Sequence, residues 1–127
     1  MSMDITPLVP AGRQIIDSYG AGRFTVSGTA HEGSLIVFPD RTLAWPVAAV
    51  EEVTLENLAP IMAVRETLEV VLLGCGARLT QVPPGLRQLF RRSGLGFELM
   101  DTGAACRTYN VLAAEDRRVV AALIAVP

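Results

Sequence analysis

The chain has 127 residues, 50% of them hydrophobic and 19% charged, which is enough apolar area for one folded core and too little charge for disorder. A formal charge of -2 withholds the phosphate attraction that supplies most non-specific nucleic-acid affinity, so nucleic acid is not an expected partner. All 11 basic residues are arginine, which excludes a lysine Schiff base and a phosphate-loop lysine, and a single histidine with two distant cysteines makes no metal set.

In chain order, Gly20, Gly22, Gly28 and Gly33 punctuate short apolar runs at 13–17, 23–26 and 34–38 that read as strands, with 29–33 as a polar turn. Leu35 and Val37 share a face. After Pro39-Asp40-Arg41, segment 42–45 puts Leu43 and Trp45 on one face, predicting a hairpin that Pro46 ends. The period then changes. Leu55, Leu58, Ala59 and Met62 recur at helical spacing behind Thr54, a suitable N-cap, and Pro60 interrupts that helix, making it short or kinked. Residues 69–73 form an apolar run stopped by Gly74-Cys75-Gly76, the pattern of a strand buried on both faces. A helix over 84–93 follows, opened by Pro84 and ended by Gly94, with Leu86, Leu89 and Phe90 inward and Arg87, Arg91 and Arg92 outward. Residues 96–100 read as a strand, and Asp101 or Thr102 caps a helix to about Ala113. Segment 119–126 is ambiguous by period and reads as a closing strand from its Val and Ile content. Strand, helix, strand, helix implies a right-handed parallel crossover, and the class is α/β in a single domain over 1–127.

The first ten residues have no basic stretch followed by an apolar one, so neither a cleaved signal nor a transit peptide is expected. The longest apolar run, 119–126, is far shorter than the roughly 20 residues that span a bilayer. With the absence of lysine read as genomic base composition, the expectation is a cytoplasmic, bacterial protein without a transmembrane segment.

Two loops carry the candidate chemistry. In Gly74-Cys75-Gly76-Ala77-Arg78 the backbone N–H groups can cradle an anion, with Arg78 adding charge. A tight turn is the plainer reading, because the third glycine of a dinucleotide fingerprint is missing and no helix begins at once. With 69–73 and 96–100 as parallel neighbours, Gly74, Cys75, Gly76, Arg78, Asp101 and Thr102 meet in a crevice, and Arg107 and Asn110 reach its rim. The structural alternative has Asp101 or Thr102 as a cap, Arg107 solvated and Asn110 bonded to nearby backbone. Cys75 is the candidate nucleophile and His31 the available base, in a polar turn. Ala105, Tyr109 and Leu112 read as a packing stripe and Cys106 as a small buried hydrophobe. Arg87, Arg91 and Arg92 read as a solvated face, with an acidic partner or anionic lipid as the alternative. Glu51 and Glu52 project differently and make no two-carboxylate site. No catalytic residue, metal or cofactor is assigned.

Gly28 with Gly33-Ser34, Trp45-Pro46, Gly74-Cys75-Gly76, Met100-Asp101-Thr102 and the run Ala105-Cys106-Arg107-Thr108-Tyr109-Asn110-Val111-Leu112 before Glu115 and Arg117 carry a resemblance. From about residue 15 to 124 the chain resembles the uncharacterised-domain family that includes mitochondrial respiratory complex I assembly factor 3 and the adipogenesis-associated domain protein. The segment Thr108-Tyr109-Asn110-Val111-Leu112 is its most specific part. The resemblance implies a three-layer fold with a central mixed β-sheet, flanking helices and an N-terminal β-hairpin region. It implies a non-enzymatic interaction or assembly factor aiding biogenesis of respiratory complex I or another membrane complex. The partner would be a subunit of such a complex, with peripheral membrane contact. A small-molecule or anion-binding domain using the crevice, and a minor hydrolase or redox activity at Cys75, stand as the alternatives.

Overall fold

The computed structural model describes residues 12–127, so the reading of the first ten residues lies outside the described part. A three-stranded antiparallel sheet comes first: β1 (Ile16–Gly20), β2 (Arg23–Val26) and β3 (Thr29–Glu32). Its two hairpins are each closed by two residues, because Gly20 pairs with Arg23 and Val26 with Thr29. Ala21 and Gly22 have φ of 53° and 74°, and Ser27 and Gly28 of 47° and 83°. Two consecutive residues at positive φ match the right-handed twist of the flanking strands, which is why a second residue of glycine recurs here. Residues 29–32 are therefore a strand and not the polar turn expected, and the first strand lies at 16–20 and not 13–17. β3 faces water along most of its length, so it lacks the apolar signal that marks a buried strand.

The second sheet has five strands in the order β5-β4-β8-β6-β7: β4 (Leu35–Val37), β5 (Thr42–Ala44), β6 (Val70–Gly74), β7 (Gly96–Met100) and β8 (Val119–Leu123). β4 is antiparallel to β5 and β8, whereas β6 is parallel to both β7 and β8, so the sheet is mixed. The register runs Val70 to Gly96 and Gly74 to Met100 on one side of β6, and Val70 to Val119 and Gly74 to Leu123 on the other. β8 closes the chain but not the sheet. It lies between β4 and β6 with all five residues buried, consistent with its unbroken apolar composition.

Alternation along these strands feeds two cores. Ile36, Val71, Leu73 and Val120 point to the face covered by α2 (Leu86–Ser93), together with Trp45, Ile61 and Phe90. Leu35, Val37, Leu72 and Ala121 point to the face covered by α3 (Thr102–Ala114), where Tyr109 meets Phe24 and Val26 of the small sheet. Helix and small sheet on one side, central sheet, and α2 with the segment before β6 on the other make the three layers. α2 ends at Gly94, at φ 78°, as a left-handed C-cap. The middle helix is short, as a proline within its periodic stretch predicts, and it begins later than Thr54. Only α1 (Ala59–Met62) is helical, with Pro60 in its first turn, while Thr54 Oγ accepts from the Asn57 N–H and Leu55 stays 59% exposed. Proline starts this turn because its missing N–H is not needed there.

Candidate functional site

The parallel pairing of β6 and β7 brings Gly74, Cys75, Gly76, Asp101 and Thr102 together at the carboxyl ends of the two strands, as the spacing predicts. What forms there is a closed seam. The Thr102 N–H donates to Gly76 O at 2.8 Å, and the Gly76 N–H donates to Thr102 Oγ1 at 2.9 Å. Thr102 Oγ1 in turn donates to Ile124 O at 2.7 Å, and the Ile124 N–H to Gly74 O at 2.9 Å. The Cys75 N–H is taken by Met100 O at 2.9 Å, so the N–H groups of both Cys75 and Gly76, the centre of the expected cradle, are already satisfied.

Two glycines serve this seam for different reasons. A Cβ on Gly74 would lie 2.9 Å from Thr102 Cα, so only glycine admits the start of α3 this closely. Gly76 has φ 112°, a region that side chains disfavour. Asp101 is the N-cap, its Oδ1 accepting from the Ala104 N–H at 2.9 Å, and Thr102 is the first residue of the helix. Cys75 is buried and its thiol donates to Arg78 O at 3.2 Å. His31 is remote from it: Cys75 belongs to the core beneath α2, whereas the sheet carrying His31 packs through Phe24 and Val26 beneath α3. Of this group only the Arg78 side chain is exposed. Among the described residues no group of three or more His, Cys, Asp or Glu is placed to hold a metal ion.

Arg107 and Asn110 do not join that seam. They face β1, beside a hollow of about 310 Å³ lined also by Asp17, Tyr19 and Cys106. Asn110 acts as a strand partner for Ile16: its Oδ1 accepts from the Ile16 N–H at 2.9 Å and its Nδ2 donates to Ile16 O at 2.8 Å. Tyr109, fully buried, donates its hydroxyl to Gln14 O at 3.0 Å, with Phe38 O at 3.2 Å also in reach. Burial raises the phenol pKa well above its ordinary value and pushes the Cys106 thiol up to about 12, so neither is a nucleophile near neutrality. Arg107 is exposed, next to Gly103, whose lack of a side chain lets the Tyr19 ring lie over the first turn of α3.

A wider hollow lies elsewhere, outside the residues that sequence reasoning singled out as a crevice. Residues 79–85, running from the seam to α2, bound a groove of about 870 Å³ with Arg87 and Leu99 on its other walls. Exposed Leu79 and the Pro83-Pro84 pair were its signals in the sequence, but a loop without periodicity does not announce which strand it lies beside.

Over residues 16–124 the chain matches the family described as "Protein of unknown function (DUF498/DUF598)", and it belongs to that family. An uncharacterized protein of Rhodobacter capsulatus is 35% identical, aligned over 92% of this chain and 89% of its own. The NADH dehydrogenase (ubiquinone) 1 alpha subcomplex assembly factor 3 of Mus musculus is 32% identical over 88% of this chain, which spans 60% of that protein. Among solved structures, the crystal structure of an outer membrane protein from Bartonella henselae superimposes with a TM-score of 0.85 at 38% identity, over 94% of this chain and 100% of that one.

Proposed function

We propose that this chain is a non-enzymatic binding protein that aids assembly of a membrane complex, with a complex I-type NADH dehydrogenase as the specific client. The observation that carries this reading is the 32% identity to the mouse assembly factor across 88% of the chain. The chemistry of the described residues supports it. The one thiol at the seam is buried without a base, Thr102 and Asp101 are consumed in holding α3, and the groups that remain free on the surface suit contacts better than catalysis. Arg78 and Arg107, the exposed members of the predicted set, are assigned to the partner surface; Gly74, Cys75, Gly76, Asp101, Thr102 and Asn110 support the scaffold behind it. No helix among the described residues is long and apolar enough to cross a membrane, so the contact with the client is a peripheral one in this reading. Its proposed compartment is the cytoplasmic face of the membrane.

The test is removal of the gene from the source cell, followed by native electrophoresis of solubilised membranes and an NADH oxidation assay. Loss of assembled complex, accumulation of subcomplexes and rescue by the wild-type chain are expected. A fully assembled, fully active complex in the deletion strain overturns the proposal.

A further inference from the structure

The central sheet ends in an open edge with a groove beside it. β7 is the last strand of its sheet and pairs only with β6. The Gly96 N–H donates to Glu69 O and Met100 O accepts from the Cys75 N–H, so the even-numbered residues of β7 bond inward. Alternation in a parallel ladder then turns the N–H and C=O groups of Phe97 and Leu99 outward, toward the open edge. Among the described residues nothing bonds to them there. Residues 79–85 bound the same hollow as Leu99 with no backbone bond to β7, and Pro83 and Pro84 have no N–H to offer.

The walls specify the partner's side chains. Leu79, 64% exposed, stands with Val82 and Leu99 around the groove of about 870 Å³ and supplies an apolar receptacle. A second hollow of about 410 Å³ shares Pro84, Gly85 and Gln88 with it and extends to Leu55 and Arg92. Arg87, Arg91 and Arg92 are exposed on α2, and none of them is in an ion pair among the described residues. The Arg87 guanidinium lies 5.6 Å from the centre of the Phe97 ring, which holds it over the groove wall. Glu98 points to the opposite face of the sheet, since Phe97 and Leu99 pack with the α2 side and Met100 with the α3 side. Positive charge therefore dominates the face that an added strand would present to α2.

We infer that the β7 edge binds an extended segment of a partner protein that carries leucine-like side chains and a carboxylate on one face, adding a strand to the sheet. Backbone bonds to Phe97 and Leu99 give the register, the groove takes the apolar side chains, and Arg87 takes the carboxylate. This deepens the assembly reading by naming the kind of segment recognised, and it rests on that reading for its biological setting. The two fail separately, because a purified protein and a synthetic peptide decide the surface while the deletion strain decides the role.

The probe is a fluorescein-labelled heptapeptide that alternates threonine with leucine, glutamate and leucine, titrated against the purified chain at low salt by anisotropy. A second peptide has lysine in place of glutamate, and a third has N-methylated peptide bonds on the pairing edge. Saturable binding of the first peptide is expected, with the other two at least about tenfold weaker, the size of a lost charge pair or a broken ladder. Arg87→Glu should reverse the preference toward the lysine peptide, and Leu79→Asp should weaken both. Both positions are exposed, and unchanged melting of the variants establishes that they fold. No saturable binding, equal affinity for the glutamate and lysine peptides, or indifference to N-methylation overturns the inference. So does arginine-dependent binding found only with phosphatidylglycerol vesicles, which would make the face a membrane contact.

Discussion

Replacing Asn110 by alanine should cost this domain more than any other substitution of a half-exposed polar residue on α3. The side chain closes two bonds with one backbone residue, at 2.9 and 2.8 Å, and Ile16 is 4% exposed, so water reaches the orphaned groups poorly. Each of the two part-buried groups left unpaired costs about 1–2 kcal/mol, the lower part of the range for such groups, which puts the loss at about 2–4 kcal/mol. For a domain of this size that is a fall in melting temperature of about 6–15 °C. Asn110→Asp keeps the acceptor for the Ile16 N–H but sets a carboxylate against Ile16 O, so it should lose a comparable amount. Arg107→Ala, less than one turn away and exposed, should lose under about 1 kcal/mol. Circular dichroism melts measure the three variants, and hydrogen exchange locates the damage, which should appear first in β1 and β2. Melting of Asn110→Ala within about 2 °C of the parent refutes the reasoning, because it would mean that the small sheet is not held through this residue.

Gly74→Ala should destabilise by about 1–3 kcal/mol, since its Cβ would lie 2.9 Å from Thr102 Cα and α3 would have to move; an unchanged denaturant midpoint counts against the seam. Tyr109→Phe removes one hydroxyl bonded to Gln14 O and should cost about 1–2 kcal/mol in urea unfolding, with a neutral result excluding that bond as a support. Cys106 and Tyr109 both have pKa values raised by burial, the thiol from 9.0 to about 12, so the fold favours their protonated forms. The stability they contribute is complete below about pH 9 and falls as pH rises toward 12, by about 1.4 kcal/mol per pH unit for one group. Cys106→Ala should flatten the first part of that fall in a pH series of melts, and an unaltered profile would show that the thiol is not its source.

The elements that could be read from the sequence are those whose burial is regular. β6, α2 and α3 each bury one repeating face or both and β7 half-buries Phe97 and Leu99, and the predicted ends of all four lie within two residues of the observed ones. β3 escaped because His31 and its neighbours are stabilised by hairpin pairing and not by a buried face. The helix expected from Leu55 to Met62 has the right period, but Trp45 Nε1 donates to Asn57 O at 2.8 Å and Thr54 bonds Asn57, which together hold the chain in turns. Local propensity gave way there to a tertiary contact that no window of sequence contains. For the site, the meeting of Gly74, Gly76, Asp101 and Thr102 was readable from parallel pairing alone. That Asn110 would turn to β1 was not, since its partner lies 94 residues earlier in the chain.

The path of the chain explains why the predicted crevice is filled and why the open chemistry lies along the outer edge of β7. An open parallel sheet leaves a ligand crevice where connections from neighbouring strands diverge to opposite faces. Here α2 leaves β6 on one face and α3 leaves β7 on the other, which is the right arrangement for a crevice between those two strands. But α3 must return to β8 on the far side of β6, so its first turn crosses directly over the end of β6. Gly74 lets it descend until Thr102 touches the strand, and the Ile124 backbone closes the gap from the β8 side. The glycines that look like an anion cradle are thus the means of closing one. With that end sealed, the β7 edge is left with outward-turned backbone groups next to a concave wall, and in the proposed strand addition the arginines of α2, in no ion pair among the described residues, set the sign of the partner.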